Sequence, residues 1–302
     1  MKKILLFLLC VVGSNELAAQ QDPLYAQYLM NPLILNPAYS GLPRNLSLNA
    51  AYRKQWAGFE GSPSTFYASA HAALMANKVG IGFLASQDQI GADRTTTLQA
   101  MYAYHLQLNN ERTLSFGLQG GVVAYRADFS KLTIDQNDPR FQQNLNVADP
   151  TIGAGVVFST PKFFASLSMP RMLSGKASLS GETLQYYNQH AYLMTAYVFP
   201  LAYNVKAKPF ALLRSVPGKA LSADVGMAVT SNNTYTLGLF TRSLNSYGFV
   251  AGFDLGDQIR FGYVFELPVN IKSMSNATSH EFTVGFRMKW MRYHDLQRVF
   301  DF

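Results

Sequence analysis

Beyond its first residues the chain has no window of 18 or so unbroken apolar residues, yet greasy side chains recur at every second position along most of its length. Leu98, Ala100, Tyr102, Tyr104, Leu106 and Leu108 form one such series, with Gln99, His105 and Gln107 between them. The same period of two runs through Leu114-Phe116-Leu118, Tyr247-Phe249-Ala251-Phe253-Leu255, Ile259-Phe261-Tyr263-Phe265-Leu267 and Phe282-Val284-Phe286-Met288-Trp290. On the opposite phase stand glycines, serines, threonines and occasional charges. Such strands have one apolar face and one small or polar face. A soluble sandwich turns its apolar faces inward and would leave the glycine-rich face in water, where more charge is expected. The chain is 48% apolar and 14% charged, against roughly 25% charged in an average soluble domain. Inside lipid, strands can pair every backbone group only by closing into a barrel.

The alternation predicts an all-β fold, a transmembrane antiparallel barrel of about fourteen strands, at 45–53, 64–75, 78–86, 95–108, 112–126, 151–159, 162–169, 185–199, 207–214, 219–230, 233–242, 246–255, 257–267 and 279–290. The strand at 207–214 contains Pro209, which argues against a central ladder position. Tight links at 76–77, 109–111, 160–161, 231–232 and 256 largely alternate with long ones at 54–63, 87–94, 127–150, 170–184 and 268–278. Outer-membrane barrels show this asymmetry, with short periplasmic turns and longer outer loops. The stretches 200–206, 215–218 and 243–245 fit the alternation less well. Tyr52, Phe66, Tyr125, Phe199, Tyr247 and Trp290 fall near strand ends, where an aromatic girdle belongs.

Lys2 and Lys3, the apolar run Ile4–Val12 and the small residues Gly13, Ser14, Ala18 and Ala19 read as a signal peptide, residues 1–19. Cys10, the only cysteine, lies inside it, which excludes disulfides and thiolate sites from a mature chain. The barrel is assigned to 45–290 and a C-terminal tail to 291–302. Thr283, Gly285, Met288 and Trp290 resemble a terminal-strand assembly signal.

Residues 20–44 are apolar but cut by Pro23, Pro32 and Pro37. Asp22 before Pro23 is a helix start, with Tyr25, Tyr28 and Leu29 on one side. Asn31-Pro32 ends that turn, and Asn36-Pro37 and Ser40-Gly41 are turn chemistry. Too short to span a bilayer, this segment is expected to dock at or inside the periplasmic end of the barrel as a plug, through Tyr25, Tyr28 and Leu29.

No catalytic, cofactor or metal site is expected. The five histidines lack metal-ligand spacing, and Ser279-His280 has no placed third group. Asp135, Asn137 and Asp138 lack the glycine and distal glutamate of a calcium loop. The basic residues are scattered, which argues against nucleic acid. Asp224, Arg242, Asp254, Arg260, Glu266, Arg287 and Lys289 share the phase of the small residues and are expected in the lumen. In the first outer loop, Arg53, Lys54, Trp56 and Phe59 are candidates for partner binding, since Trp and Arg are enriched among binding hot spots.

"QDPLYAQYLMNPLILNPAYSG" and the following "YRKQWAGFEGSPSTFYASAH" closely resemble the start of the PorP/SprF family, and "TIDQNDPRF" and "ADPTIGAGVVFS" are similar too. The resemblance implies a non-enzymatic outer-membrane protein of the type IX secretion and gliding systems of Bacteroidetes. It implies work beside periplasmic machinery, helping to export or anchor secreted adhesins or enzymes that carry a C-terminal sorting domain. Loops would face the cell surface and both mature termini the periplasm. A channel for small or hydrophobic solutes is the alternative.

Overall fold

The structure is a computed structural model, and it describes residues 26–128, 144–179, 182–269 and 277–294. The signal peptide, Tyr25 and the Asp135–Asp138 group lie outside these residues. Seventeen strands follow in chain order: β1 (Leu46–Ala57), β2 (Ser64–Leu74), β3 (Val79–Ile90), β4 (Asp93–Gln107), β5 (Thr113–Ala127), β6 (Leu145–Ser159), β7 (Phe163–Arg171), β8 (Gly175–Leu179), β9 (Glu182–Tyr187), β10 (His190–Tyr197), β11 (Phe199–Ala202), β12 (Val205–Ser215), β13 (Ser222–Ser231), β14 (Tyr235–Arg242), β15 (Ser246–Leu255), β16 (Ile259–Pro268) and β17 (Thr278–Met288).

Fourteen of them close an antiparallel barrel. Neighbours in sequence pair throughout, except that β7 pairs β10, β10 pairs β12, and β1 closes the ring on β17 through Leu46↔Met288 to Lys54↔His280. β8 and β9 form a separate hairpin in the connection from β7 to β10, and β11 extends β12 beyond the ring. One end, here the proximal end, carries the entry into β1, the exit from β17 and the turns 75–78, 108–112, 160–162, 198–204, 232–234 and 256–258. The distal end carries 58–63, 91–92, 172–179, 182–189, 216–221 and 243–245, together with the end of β5, the start of β6, the end of β16 and the start of β17.

Alternation sets the two faces. Leu48, Tyr52, Phe66, Phe83, Leu98, Tyr102, Phe116, Leu118, Leu239, Phe261 and Phe282 are exposed on the outside. Ser47, Thr65, Ser69, Gln99, Ser115, Gln119, Thr151, Ser166 and Thr283 are buried within. A continuous outer face of this kind belongs in hydrocarbon.

Several boundaries differ from expectation. The long connection at 87–94 is a two-residue turn, Gly91-Ala92, because the ladder continues through polar residues from Gln87↔Thr96 to Ile90↔Asp93. Gly91, at φ 57°, supplies the left-handed backbone that this tight turn needs. β6 begins at Leu145, so Pro150 sits inside it, opposite Val122. The expected strand 185–199 is three pieces, β9, β10 and β11. The break at Val198, whose N–H goes to the Lys162 carbonyl, explains Pro209. On that side β10 pairs β12 only from Ala196↔Phe210 onward and β11 only up to Phe199↔Ala207, so Pro209 faces a gap where no donor is required. On its other side Pro209 lies opposite Met227 in the β12–β13 ladder.

Candidate functional site

The interior holds the front of the chain. The expected helix start at Asp22 and Pro23 lies outside the described residues; the part of that helix that is described is a single 3-10 turn, Ala26–Leu29, and two more such turns follow beyond Asn31, Pro32–Ile34 and Pro37–Tyr39. The repeated Asn-Pro pairs build the second and third. The Asn31 side chain accepts the Leu33 N–H at 3.2 Å and the Asn36 side chain accepts the Ala38 N–H at 2.9 Å. Each proline fills a first helical position, where no donor is needed. Prolines and caps at this spacing stop any longer helix.

The same two asparagines tie the segment to the wall. Asn31 Nδ2 donates to Ser69 Oγ at 2.9 Å and to the Tyr67 hydroxyl. Asn36 Nδ2 donates to the carbonyls of Val156 and Leu167 at 3.1 and 3.2 Å, and the Ser168 hydroxyl donates to the Leu35 carbonyl at 2.6 Å. Further down, the Gly41 N–H reaches His71 Nδ1 at 3.2 Å, and His105 Nε2 lies 2.9 Å from the Ser40 carbonyl. Tyr28, Leu29 and Leu33 are almost fully buried and pack in one core with Leu84, Met101, Val157, Phe164, Met194, Leu212, Phe240, Val250 and Val264, which come from strands all round the barrel. Burying a Leu side chain of this kind is worth about 1.5–3 kcal/mol.

Glycines of the wall make room, Gly117 and Gly155 among them. A β-carbon at Gly117 would collide with the Ala38 backbone, and one at Gly155 with the Asn36 side chain. In strands, glycines mark such close approaches.

The ionic residues make two groups. Near the distal end Arg53 bridges Glu266 at 3.2 Å and Glu281 at 3.3 Å, while Arg242 bridges Asp224 and Glu266, each at 3.2 Å. The segment joins this group: Tyr28 donates its hydroxyl to Asp224 at 3.0 Å, and the Ala26 N–H points to Glu281 at 3.3 Å. The second group lies proximally, where Asp254 accepts from Arg260 at 2.9 Å and from Arg287 at 3.1 Å. An ion pair in a low-dielectric interior holds only if its geometry and hydrogen bonds are good.

These placements correct four readings. Tyr28 binds Asp224, near the distal start of β13, so the front of the segment does not sit at the proximal mouth; residues 26–45 run from the distal side down to β1. Arg53 is not in an outer loop. β1 continues to Ala57, and the alternation that turns Tyr52 outward turns Arg53 inward, where it is 3% exposed. Lys289 lies past the end of β17 and is exposed, because the wall stops at Met288. The remaining expected lumen charges, Asp224, Arg242, Asp254, Arg260, Glu266 and Arg287, face inward. Lys54 donates to the Ser62 carbonyl at 2.9 Å, Trp56 sits in a bulge at φ 53°, and Phe59 is exposed on the distal loop. Lys54 and Trp56 thus belong to the distal end of β1 rather than to the expected loop, only Phe59 lies in the loop itself, and buried Arg53 does not join them in one surface. Glu281, the second carboxylate on Arg53, was missed, although exposed Phe282 beside it fixes its inward phase.

His105 Nδ1 lies 2.7 Å from Ser115 Oγ, but the other ring nitrogen meets the Ser40 carbonyl rather than a carboxylate, and both residues are buried. That pairing positions the segment. It does not make a triad. Among the described residues no group of three His, Cys, Asp or Glu could hold a metal ion.

The barrel resembles solved outer-membrane proteins in fold alone. A variant of the TodX monoaromatic hydrocarbon channel is 13% identical, with a TM-score of 0.50, and the match covers 86% of this chain and 94% of that one. A FadL homologue from Pseudomonas aeruginosa is 9% identical, with a TM-score of 0.49 and coverage of 90% and 96%. No curated protein sequence matches the chain. The model of one family spans residues 17–286, taking in the front segment and nearly the whole wall. The chain belongs to the type IX secretion system membrane protein family PorP/SprF.

Proposed function

We propose that this barrel is a non-enzymatic component of the outer-membrane stage of type IX secretion, helping to export secreted proteins or to hold them at the cell surface. The family match carries this reading. In it the distal loops lie at the cell surface and the proximal turns and C-terminal tail face the periplasm. The cargo is an adhesin or enzyme with a C-terminal sorting domain, met by the distal side, while periplasmic parts of the machine meet the proximal side. Exposed Phe59 in the first distal loop and partly buried Trp56 and Lys54 at the adjoining end of β1 offer an apolar and cationic surface for such contact.

The second reading is a channel for small or hydrophobic solutes, favoured by the shared fold with TodX. The occupied interior supports the first reading over it. The segment crosses from Asp224 and Glu281 on one wall to Ser69, Val156 and Leu167 on others, and we infer that it closes the lumen as a plug. Planar-bilayer recording separates the two. A secretion component with a closed lumen gives no stable conductance as the full chain, whereas steady conductance or solute flux at wild-type level overturns the reading.

A further inference from the structure

Most of the outer wall is greasy, but at its distal rim two arginines stand directly opposite each other. Arg94 on β4 pairs with Arg126 on β5, and both are exposed on the outward phase of their strands. Below them on the same face come Thr96↔Ala124, then Leu98↔Val122, Ala100↔Gly120, Tyr102↔Leu118 and Tyr104↔Phe116. Like charges directly opposite in an antiparallel pair destabilise it. Among the described residues neither guanidinium forms an ion pair or hydrogen bond. The outward cross-strand neighbours on either side, Gln89 and Asn146, are uncharged and cannot neutralise them.

The height of the pair is informative. From Leu98 to Leu108 the apolar face of β4 and its turn runs about 34 Å along the strand at ~3.4 Å per residue, or about 25 Å along the axis at a barrel's usual tilt, the thickness of a hydrocarbon band. Arg94 lies about 13 Å further along the strand, hence about 10 Å above that band. That is the level of lipid headgroups. A cleft of about 130 Å³ opens at the same place, lined by Gln89, Gly91, Ala92, Arg94, Arg126 and Asp128. Asp128 contributes one negative charge to a rim holding two positive ones, and it has another partner. Gly91 and Ala92, the two residues of the β3–β4 turn, form part of its lining.

We propose that Arg94 and Arg126 form a binding site for a phosphate group of the phosphorylated glycolipid in the outer leaflet. Guanidinium forks match phosphate geometry, and one phosphate between two arginines turns a repulsive pair into a bridged one. The site would fix the barrel's height and rotation against its lipid, with β3–β5 facing an ordered glycolipid. This rests on the reading that the distal end faces the cell surface.

The test uses the full chain, refolded in neutral detergent, and the variant Arg94→Gln/Arg126→Gln. Purified phosphorylated glycolipid is added, its retention is measured by native mass spectrometry, and thermal unfolding is followed. The wild type should retain the glycolipid about thirtyfold better than the variant, as expected for losing two cations near an anionic surface. In detergent alone the variant should unfold no earlier than the wild type, because the substitution relieves a repulsion. Glycolipid should raise the unfolding temperature of the wild type only. The variant Arg292→Gln, at the proximal end, controls for general charge effects and should behave as wild type. Equal retention by wild type and double variant overturns the site. Equal stabilisation by phosphatidylglycerol or by inorganic phosphate overturns the choice of glycolipid. Surface labelling of Ala92→Cys on intact cells tests orientation separately. Failure to label with retention intact refutes the outward orientation and leaves the phosphate site standing.

Discussion

Tyr28 and Asp224 are 196 residues apart in the chain and share a hydrogen bond of 3.0 Å inside the barrel, where Asp224 also accepts from Arg242. The front of the chain is thereby built into the ionic network of the far wall rather than resting on it. Hydrogen bonds to charged groups are worth about 1.5–3 kcal/mol each. Tyr28→Phe keeps the ring and removes the donor. The barrel should still insert, but its heat resistance in detergent should fall, and protease should cut residues 26–42 more readily. Unchanged resistance in both assays would show that the contact contributes nothing.

Among the described residues Arg53 is the only guanidinium holding Glu281, and it shares Glu266 with Arg242. Truncating it leaves a buried carboxylate without its counter-charge, a change that typically costs about 3–5 kcal/mol. Arg53→Ala should therefore lower the yield of folded barrel, read as the heat-modifiable band on a gel. Adding Glu281→Gln should recover part of the loss, since the two residues are directly coupled. A normal yield of Arg53→Ala with reduced surface cargo would instead return Arg53 to the role of an exposed contact.

Gly117 and Gly155 leave room for the backbone of Ala38 and the side chain of Asn36. Gly117→Val should expel the segment while leaving the β4–β5–β6 ladder intact, because valine suits a strand. Conductance in planar bilayers and accessibility of residues 26–42 to protease should rise together. If neither rises and the protein folds normally, the segment does not lie against β5.

The outer face makes a separate claim. Leu118 is 64% exposed near the middle of β5. Leu118→Arg should cost about 2–4 kcal/mol if the residue faces the bilayer midplane. Urea unfolding in lipid vesicles measures it. A neutral effect would place β5 outside the hydrocarbon.

Much of this was legible in a period of two. Tyr102, Leu118 and Phe261 announce an outer face, and the small residues between them announce a packed interior. Arg53 was misplaced because a polar stretch, Arg53-Lys54-Gln55, reads as a loop although the β1 ladder runs through it. The same error at Gln87–Gln89 hid the turn at Gly91. In both places the strand continues above the hydrocarbon, where nothing requires apolar side chains, so hydropathy stops marking it. Asn31 and Asn36 read as helix stops and turn formers, which they are, but their second role as donors to Ser69 and Leu167 depends on contacts 38 and 131 residues away. Local patterning carries no information at that range. Pro209 misled for the opposite reason: the exemption that tolerates it is a gap between β10 and β11, set by a neighbouring strand rather than by its own.

Whether this barrel works as part of a secretion machine is decided by affinity purification of the full chain from gently solubilised outer membranes, with quantitative identification of what accompanies it. Periplasmic secretion components should be enriched together with at least one secreted protein carrying a C-terminal sorting domain, and that secreted protein should fall when Trp56 and Phe59 are both changed to Ala while the amount of folded barrel stays the same. Recovery of the barrel with lipid alone, under conditions that keep the secretion machinery intact, would contradict that role.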